Sequence, residues 1–286
     1  MNKFYGMKLI ADSGSTKTDW RLLTNDGFVE IQTQGINPYF QDQRSISSIV
    51  EHELLPSVEQ PELVTEVYFY GAGCGSDTKN EKLQQVLSQY FKAHIVVQND
   101  LMAAAKALCG GKAGLVAIIG TGANTCYYDG NEIIENIDPL GYLLGDEGSG
   151  AQLGKTFIQA LLYDEVPKKL TERFDAEFNL SKEEILDAVY VQPLPNRFLA
   201  SFGKFIHANL DDPFMKSVVE SCFQRFFDKY ICKYNNYQQL TLNAVGSIAY
   251  NFRPILEKIA AKNAVKIGTI LKSPISGLMA YHQNKP

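Results

Sequence analysis

Three short segments of this chain carry residue types suited to a polyphosphate. Asp12-Ser13-Gly14-Ser15-Thr16-Lys17-Thr18-Asp19 lies between two apolar runs. Small residues there let backbone N–H groups approach phosphate oxygens, hydroxyls can donate to them, and the leading carboxylate of Asp12 can hold Mg²⁺ through water. An ordinary polar β-turn has the same composition. The spacing is neither G-x-x-x-x-G-K-[ST] nor G-x-G-x-x-G, so the segment is not a Walker A loop or a Rossmann turn. Gly120-Thr121-Gly122-Ala123-Asn124 is a second turn of this type. Alone it reads equally as a Gly-rich hairpin, but two such turns at matching places in the two halves point to a clamp on one nucleotide. Ala244-Val245-Gly246-Ser247-Ile248-Ala249 follows an apolar run and precedes a helical pattern. Gly246 and Ser247 would let an adenosine group lie close to the backbone, and a plain strand-to-helix turn is the other reading.

The elements that must position these turns follow from periodicity. Lys8 to Ala11, Asp19 to Leu23 and Val29 to Thr33 read as strands, the last two joined by the hairpin signal Asn25-Asp26-Gly27. Helical spacing covers Ile46 to Val58 and Asn80 to Phe91. Val67 to Tyr70 and Ile95 to Val97 read as buried strands, and an Ala-rich helix runs from Leu101 to Leu108. The pattern then begins again, with strands at Leu115 to Ile119, Thr125 to Tyr128 and Glu132 to Ile134 and a hairpin turn at Asp129-Gly130-Asn131. Further helices are expected at Gln152 to Leu162, Lys182 to Val189, Phe198 to Ala208, Phe214 to Tyr230, Pro254 to Ala261 and Pro274 to Tyr281, with strands at Leu240 to Val245 and Val265 to Ile270.

A motif that recurs at half the chain length implies an α/β protein of two like domains facing one shared cleft. The boundary falls near Cys109 to Ala113. It gives an N-terminal domain of residues 1–112, with the C-terminal helix 274–286 as an optional completion, and a C-terminal domain of residues 113–273 with a helical insertion. Two domains also suit 286 residues of which 45% are hydrophobic.

The bulk composition excludes several partners. A net charge of -5 without a long Lys/Arg run disfavours nucleic acid. No segment approaches the ~20 apolar residues of a spanning helix, and Met1 to Ile10 lacks a signal-peptide pattern, so the expectation is a cytoplasmic protein without a membrane partner. Five cysteines without a C-x-x-C pair suit reduced, buried thiols. The four histidines lack metal-ligand spacing.

The three turns stand in the order of the phosphate-1, phosphate-2 and adenosine motifs of the sugar kinase, heat-shock protein 70 and actin superfamily, whose domains are ribonuclease H-like. Within it the chain resembles the N-acetylglucosamine kinase branch, grouped with the BadF/BcrA-type ATPases, nearly end to end. The most specific stretch is Leu144-Gly145-Asp146-Glu147-Gly148-Ser149-Gly150, similar to that branch's glycine-bounded Asp-Glu signature, supported by Asn99-Asp100 before the Ala-rich helix.

The resemblance implies an actin-like ATPase fold with a nucleotide and sugar cleft, ATP and Mg²⁺ as cofactors, and transfer of the γ-phosphoryl group to a hydroxyl, the 6-hydroxyl, of an amino sugar such as N-acetylglucosamine. By that resemblance Asp100 is the general base. An Asp at this place also suits a helix N-cap, and the two roles are compatible. Asp12 organises Mg²⁺. Gly14, Ser15, Thr16, Lys17, Thr121, Gly122, Gly246 and Ser247 meet the nucleotide. Asn37, Asn124, Gly141, Tyr142 and Asp146 line the sugar pocket. The first turn departs from the family in having fewer glycines, and Tyr142 stands where animal enzymes carry tryptophan. N-acetylmuramic acid and glucosamine remain open as acceptors. The segment between Leu162 and Pro195 maps to nothing in the family and reads either as a homodimer surface or as a helical insertion.

Two rivals belong to the same superfamily. An iron-sulfur activator ATPase of the 2-hydroxyacyl-CoA dehydratase or aryl-CoA reductase type needs converging exposed thiolates. Cys126 follows the second turn, but it has apolar flanks and no suitable second cysteine before Cys222. A regulatory nucleotide-binding module would carry a helix-turn-helix ahead of the first strand, and the first turn comes within a dozen residues.

Overall fold

The computed structural model describes residues 6–14 and 16–283, and its chain divides into two compact units. The first comprises the described residues up to Gly110 together with those from Pro274 onward, and the second spans Gly111–Ser273. Among the described residues no helix is long and apolar enough to cross a membrane.

Unit 1 is built on strands β1 (Met7–Ser13), β2 (Lys17–Thr24), β3 (Gly27–Gln34), β4 (Val64–Gly71) and β5 (His94–Asn99), in the order β3-β2-β1-β4-β5. β1 to β3 form an antiparallel meander, and Thr24 pairs with Gly27 across the predicted Asn25-Asp26 turn. β4 and β5 then add in parallel. Helices α1 (Gln43–Ile49), α2 (Asp77–Ser88), α3 (Asp100–Cys109) and α13 (Ile275–Gln283) complete the unit.

β1 is central because both of its faces are apolar. Leu9 and Ala11 join Trp20, Phe69 and the α1 and α2 residues Ile46 and Leu83. Ile10, one residue out of phase, joins Tyr70, Ala103, Leu278 and Met279. Successive strand residues point to opposite faces, so three fully buried neighbours require a layer on each side. α13 supplies part of the second layer. It lies so close to α3 that a Cβ on Gly277 would come 2.5 Å from the Ala107 carbonyl oxygen, and the His282 imidazole Nε2 lies 2.9 Å from the Tyr70 hydroxyl.

Unit 2 repeats the plan. β6 (Gly114–Ile119), β7 (Ala123–Tyr128), β8 (Ile133–Ile137), β9 (Thr241–Val245) and β10 (Lys266–Leu271) lie in the order β10-β9-β6-β7-β8, which is the first sheet's order element for element. Its helices are α4 (Gly141–Leu144), α5 (Gly150–Leu162), α6 (Lys168–Phe178), α7 (Lys182–Tyr190), α8 (Pro195–Ser201), α9 (Gly203–Ala208), α10 (Pro213–Lys229), α11 (Ser247–Asn251) and α12 (Arg253–Lys262). Phe157, Phe174, Phe202, Phe205, Phe223 and Phe226 fill one core with β6 and β9 residues. Each such buried side chain contributes ~1.5–3 kcal/mol relative to exposure.

Several elements differ from the sequence reading, among them the helix expected at Ile46 to Val58, which is α-helical only to Ile49 and continues as a π-helical and a 3-10 turn. Phe198 to Ala208 is two helices rather than one, because Phe202 bonds back to Leu199 and tightens the turn before Gly203. β8 begins at Ile133, since the Asp129 carboxylate accepts the N–H groups of Asn131 and Glu132, both at 2.7 Å, and holds those residues in the turn. The segment after Leu162 contains the unpredicted helix α6, whose buried Leu170 and Phe174 are spaced i, i+4 and which ends at left-handed Asn179.

Candidate active site

In unit 1 the parallel strands stop level with one another. Ser13 on β1 pairs with Gly71 on β4, and Gly71 pairs with Asn99 on β5. Ligands of parallel α/β sheets bind beyond such carboxyl ends, and the predicted unit 1 residues are placed there or next to it. Half-buried Asp12 is the penultimate residue of β1. Gly14 closes the following turn by donating its N–H to the Lys17 carbonyl at 3.0 Å. Gly14, Thr16 and Lys17 are exposed. Ser15 lies outside the described residues.

The buried Ser13 hydroxyl turns inward, 2.6 Å from the Thr18 hydroxyl and donating to the Ile36 carbonyl at 2.8 Å. It therefore braces the turn against the segment leading to Asn37. The Lys17 ammonium lies 2.8 Å from the Asp19 carboxylate, so reaching a phosphate requires leaving that pair. Asn37 is buried, and its Oδ1 accepts the Tyr39 N–H at 2.9 Å. Gly73, with φ at +83°, abuts the same oxygen, and a side chain there would overlap it.

Asp100 is the first residue of α3. The cap is Asn99, whose Oδ1 accepts the Met102 N–H at 2.8 Å, so the capping alternative for Asp100 is corrected. Burial lifts the Asp100 carboxyl above the usual range, opposed by its hydrogen bond from the Leu101 backbone. The buried Cys74 thiol is pushed up to about 12, first by burial and then by the charge of Asp100. That places Cys74 in the electrostatic neighbourhood of the carboxylate, which nothing in its sequence context indicated.

In unit 2 the three predicted segments converge. Gly120 and Thr121 carbonyls accept the N–H groups of Gly150 and Ala151 at 2.8 and 3.0 Å, docking the start of α5 onto the second turn. Gly246, with φ at +126°, packs on the Ile119 carbonyl so closely that a Cβ would overlap it. Ser247 is exposed at the start of α11. The buried Asp146 reaches back to the turn, where its Oδ1 accepts the Ala123 N–H at 3.4 Å and its Oδ2 would be 3.0 Å from a Cβ on Gly122. Burial raises the Asp146 carboxyl above its ordinary range, opposed by the Ala123 N–H, while the Glu147 charge adds to the rise.

Asn124 points its Oδ1 at the Thr125 N–H and the Asn136 amide, both at 2.9 Å. Gly141, with φ at +74°, and Tyr142 open the short helix α4. Lys155 from α5 holds that helix by donating to the Tyr142 carbonyl at 2.8 Å. Lys155 and Glu147 also line a cavity of about 420 Å³ behind the Leu143-Leu144-Gly145 stretch. Sequence reasoning passed over Lys155, Glu147 and Tyr230 as site-supporting residues. Glu147 stands in the recognised signature, but the other two carry no motif signal.

The second turn fits an anion such as a nucleotide phosphate. A Cβ on Gly120 would meet only open space, and Thr121 is exposed. Among the described residues the Thr121 and Gly122 N–H groups have no protein acceptor, which is the donor arrangement an anion-binding turn presents. No three His, Cys, Asp or Glu side chains among the described residues converge as a direct metal site. Cys126 is fully buried within β7, paired opposite Val116.

Comparisons with known proteins bear on the family and the fold. The profile of the BadF/BadG/BcrA/BcrD ATPase family matches residues 11–171. Among solved structures, a candidate N-acetylglucosamine kinase of Porphyromonas gingivalis is 42% identical, with a TM-score of 0.91 over 98% of this chain and 99% of that one. A candidate N-acetylglucosamine kinase of Chromobacterium violaceum is 16% identical, with a TM-score of 0.71 over 96% of this chain and 98% of that one. MreB5 of Spiroplasma citri bound to AMPPNP is 10% identical, with a TM-score of 0.59 over 97% and 96%. The last two show the fold alone, a mixed α/β actin-like ATPase architecture of two domains. Among curated proteins none matches. With more than half its length matched by the profile, and a near-complete relative at this identity, the chain belongs to the BadF/BadG/BcrA/BcrD ATPase family.

Proposed function

We propose that this protein is an ATP-dependent sugar kinase that transfers the γ-phosphoryl group to the 6-hydroxyl of N-acetylglucosamine or a related amino sugar. The observation that carries the reading is the placement of Asp100. Because Asn99 caps α3, the Asp100 carboxylate stands at the end of β5 without serving as the helix cap. The 42% identity to the Porphyromonas gingivalis protein supports the amino-sugar class.

In this mechanism Asp12 would hold the Mg²⁺ that accompanies the nucleotide. Gly14, Ser15, Thr16 and Lys17 in unit 1, and Thr121 and Gly122 in unit 2, receive the phosphates, while Gly246 and Ser247 receive the adenosine. The bound Mg²⁺-nucleotide supplies the phosphoryl group and the charge neutralisation for its in-line transfer. Asp100 accepts the proton of the attacking hydroxyl at a carboxylate oxygen. Asn37, Asn124, Gly141, Tyr142 and Asp146 orient the sugar, with Asp146 accepting from its hydroxyls. Ordering the sugar in place of water suppresses hydrolysis, so ATP turnover without sugar is slow.

The test is a coupled ADP-release assay across N-acetylglucosamine, N-acetylmuramic acid, glucosamine and glucose, with the product position read by ³¹P NMR. Sugar-stimulated turnover yielding a 6-phosphate supports the proposal. If none of the four raises turnover above the sugar-free rate, the kinase reading fails.

A further inference from the structure

We propose that Tyr230 is a positioning residue, which holds the backbone of Asp146 so that its carboxylate is presented to the acceptor sugar. The inference rests on the kinase reading above. Asp146 is a non-glycine residue with φ at +59°, a conformation that is less favourable for a residue with a Cβ, although less so for Asp than for most, and that neighbouring contacts stabilise. Three contacts do so here. The Asp146 carbonyl accepts the Ser149 N–H at 3.1 Å, its carboxylate accepts the Ala123 N–H at 3.4 Å, and its own N–H donates to the Tyr230 hydroxyl at 3.2 Å. The first two tie the residue to its own loop and to the turn. Only the third ties it to a core helix, for Tyr230 follows the last residue of α10 and is 3% exposed.

The phenol is itself fixed. Its ring packs against Phe226 at 5.7 Å between centroids, and Phe226 in turn sits under Gly148, where a Cβ would come 2.8 Å from the Phe226 Cβ. Burial, followed by the neighbouring Glu147 charge, pushes the Tyr230 hydroxyl up to about 12, so it stays protonated at neutral pH. One hydroxyl therefore accepts from the Asp146 backbone in the electrostatic neighbourhood of the Glu147 carboxylate. Glu147 is held from α10, by Arg225 at 3.4 Å. Replacing the phenol with phenyl would leave the buried Asp146 N–H short of a partner, which favours rearrangement of the loop.

The experiment compares wild type, Tyr230→Phe, Asp146→Asn and the double variant, with Phe227→Leu as a core control for lost stability. In Tyr230→Phe the sugar KM is expected to rise about three- to tenfold, the loss of one hydrogen bond, with the nucleotide KM unchanged. Its effect on sugar KM should vanish in the Asp146→Asn background, because the phenol acts through Asp146. Amide hydrogen exchange at Asp146 should accelerate at least tenfold in Tyr230→Phe and not in Phe227→Leu. Unchanged Asp146 exchange, or a KM effect that persists in full without the Asp146 carboxylate, overturns the positioning role. A wild type that phosphorylates no sugar instead overturns the kinase reading, and the sugar-presenting role with it.

Discussion

At the scale of single residues, the carboxyl of Asp100 combines a raised pKa with a position at a strand end. Asp100→Asn should cut the turnover rate by about 10² to 10⁴, the usual worth of a positioned base, while calorimetric nucleotide affinity stays as in wild type. The raised pKa gives the acid limb of the kcat/KM profile a midpoint above the ordinary carboxylate range, because the protonated group cannot accept the hydroxyl proton. Stability follows the same ionisation with the opposite sign. The unfolded carboxyl ionises first, so native stability is fullest below the ordinary Asp pKa and declines as pH rises through the folded value. Asp100→Asn removes that decline. Thermal melts should show the variant more stable than wild type at neutral pH, with the advantage fading below about pH 4; an equal gap at every pH would remove burial as the cause.

At the scale of elements, two joints set the local geometry of unit 1. Asn99 starts α3 and thereby sets where Asp100 sits. Asn99→Ala should cost about 1 kcal/mol in denaturant unfolding and impair turnover beyond what that loss explains, since the first turn of α3 frays. The second joint is the crossing of α13 over α3. Gly277→Ala drives a methyl group into the Ala107 backbone and should cost about 1–3 kcal/mol. Gly111→Ala meets only open space and should stay within about 0.5 kcal/mol of wild type. Equal unfolding free energies for the two variants would contradict the close packing of α13.

At the scale of the whole molecule, the chain leaves unit 1 at Gly110 and returns to it at Pro274. Stopping the chain at Ser273 would uncover Ile10, Tyr70 and Ala103 by removing Ile275, Leu278 and Met279. Hydrogen exchange on such a truncation should show β1 and β4 losing protection while β6 and β9 keep theirs; uniform loss across both sheets would mean that the units do not unfold separately. The recurrence of a strand-and-turn pattern in the two halves was legible from local signals, whereas the strand order that the two sheets share came from the tertiary structure. Apolar runs of strand length, Asn-Asp-Gly between two of them, and Gly-rich turns at matching places are short-range patterns, and the central strands announce themselves as unbroken apolar stretches. Those patterns by themselves determined the α/β class, the repeat and which turns to suspect. Helix α6 was hidden among charged residues, although Leu170 and Phe174 carried its period. The tertiary structure alone decided that Asn99 rather than Asp100 caps α3, that the Ser13 hydroxyl faces inward, and that Tyr230 holds Asp146 from 84 positions away. Such choices depend on which polar groups meet once the cores have packed. That pairing is set by three-dimensional proximity and the cost of leaving a buried donor unmet, and neither leaves a period in the sequence.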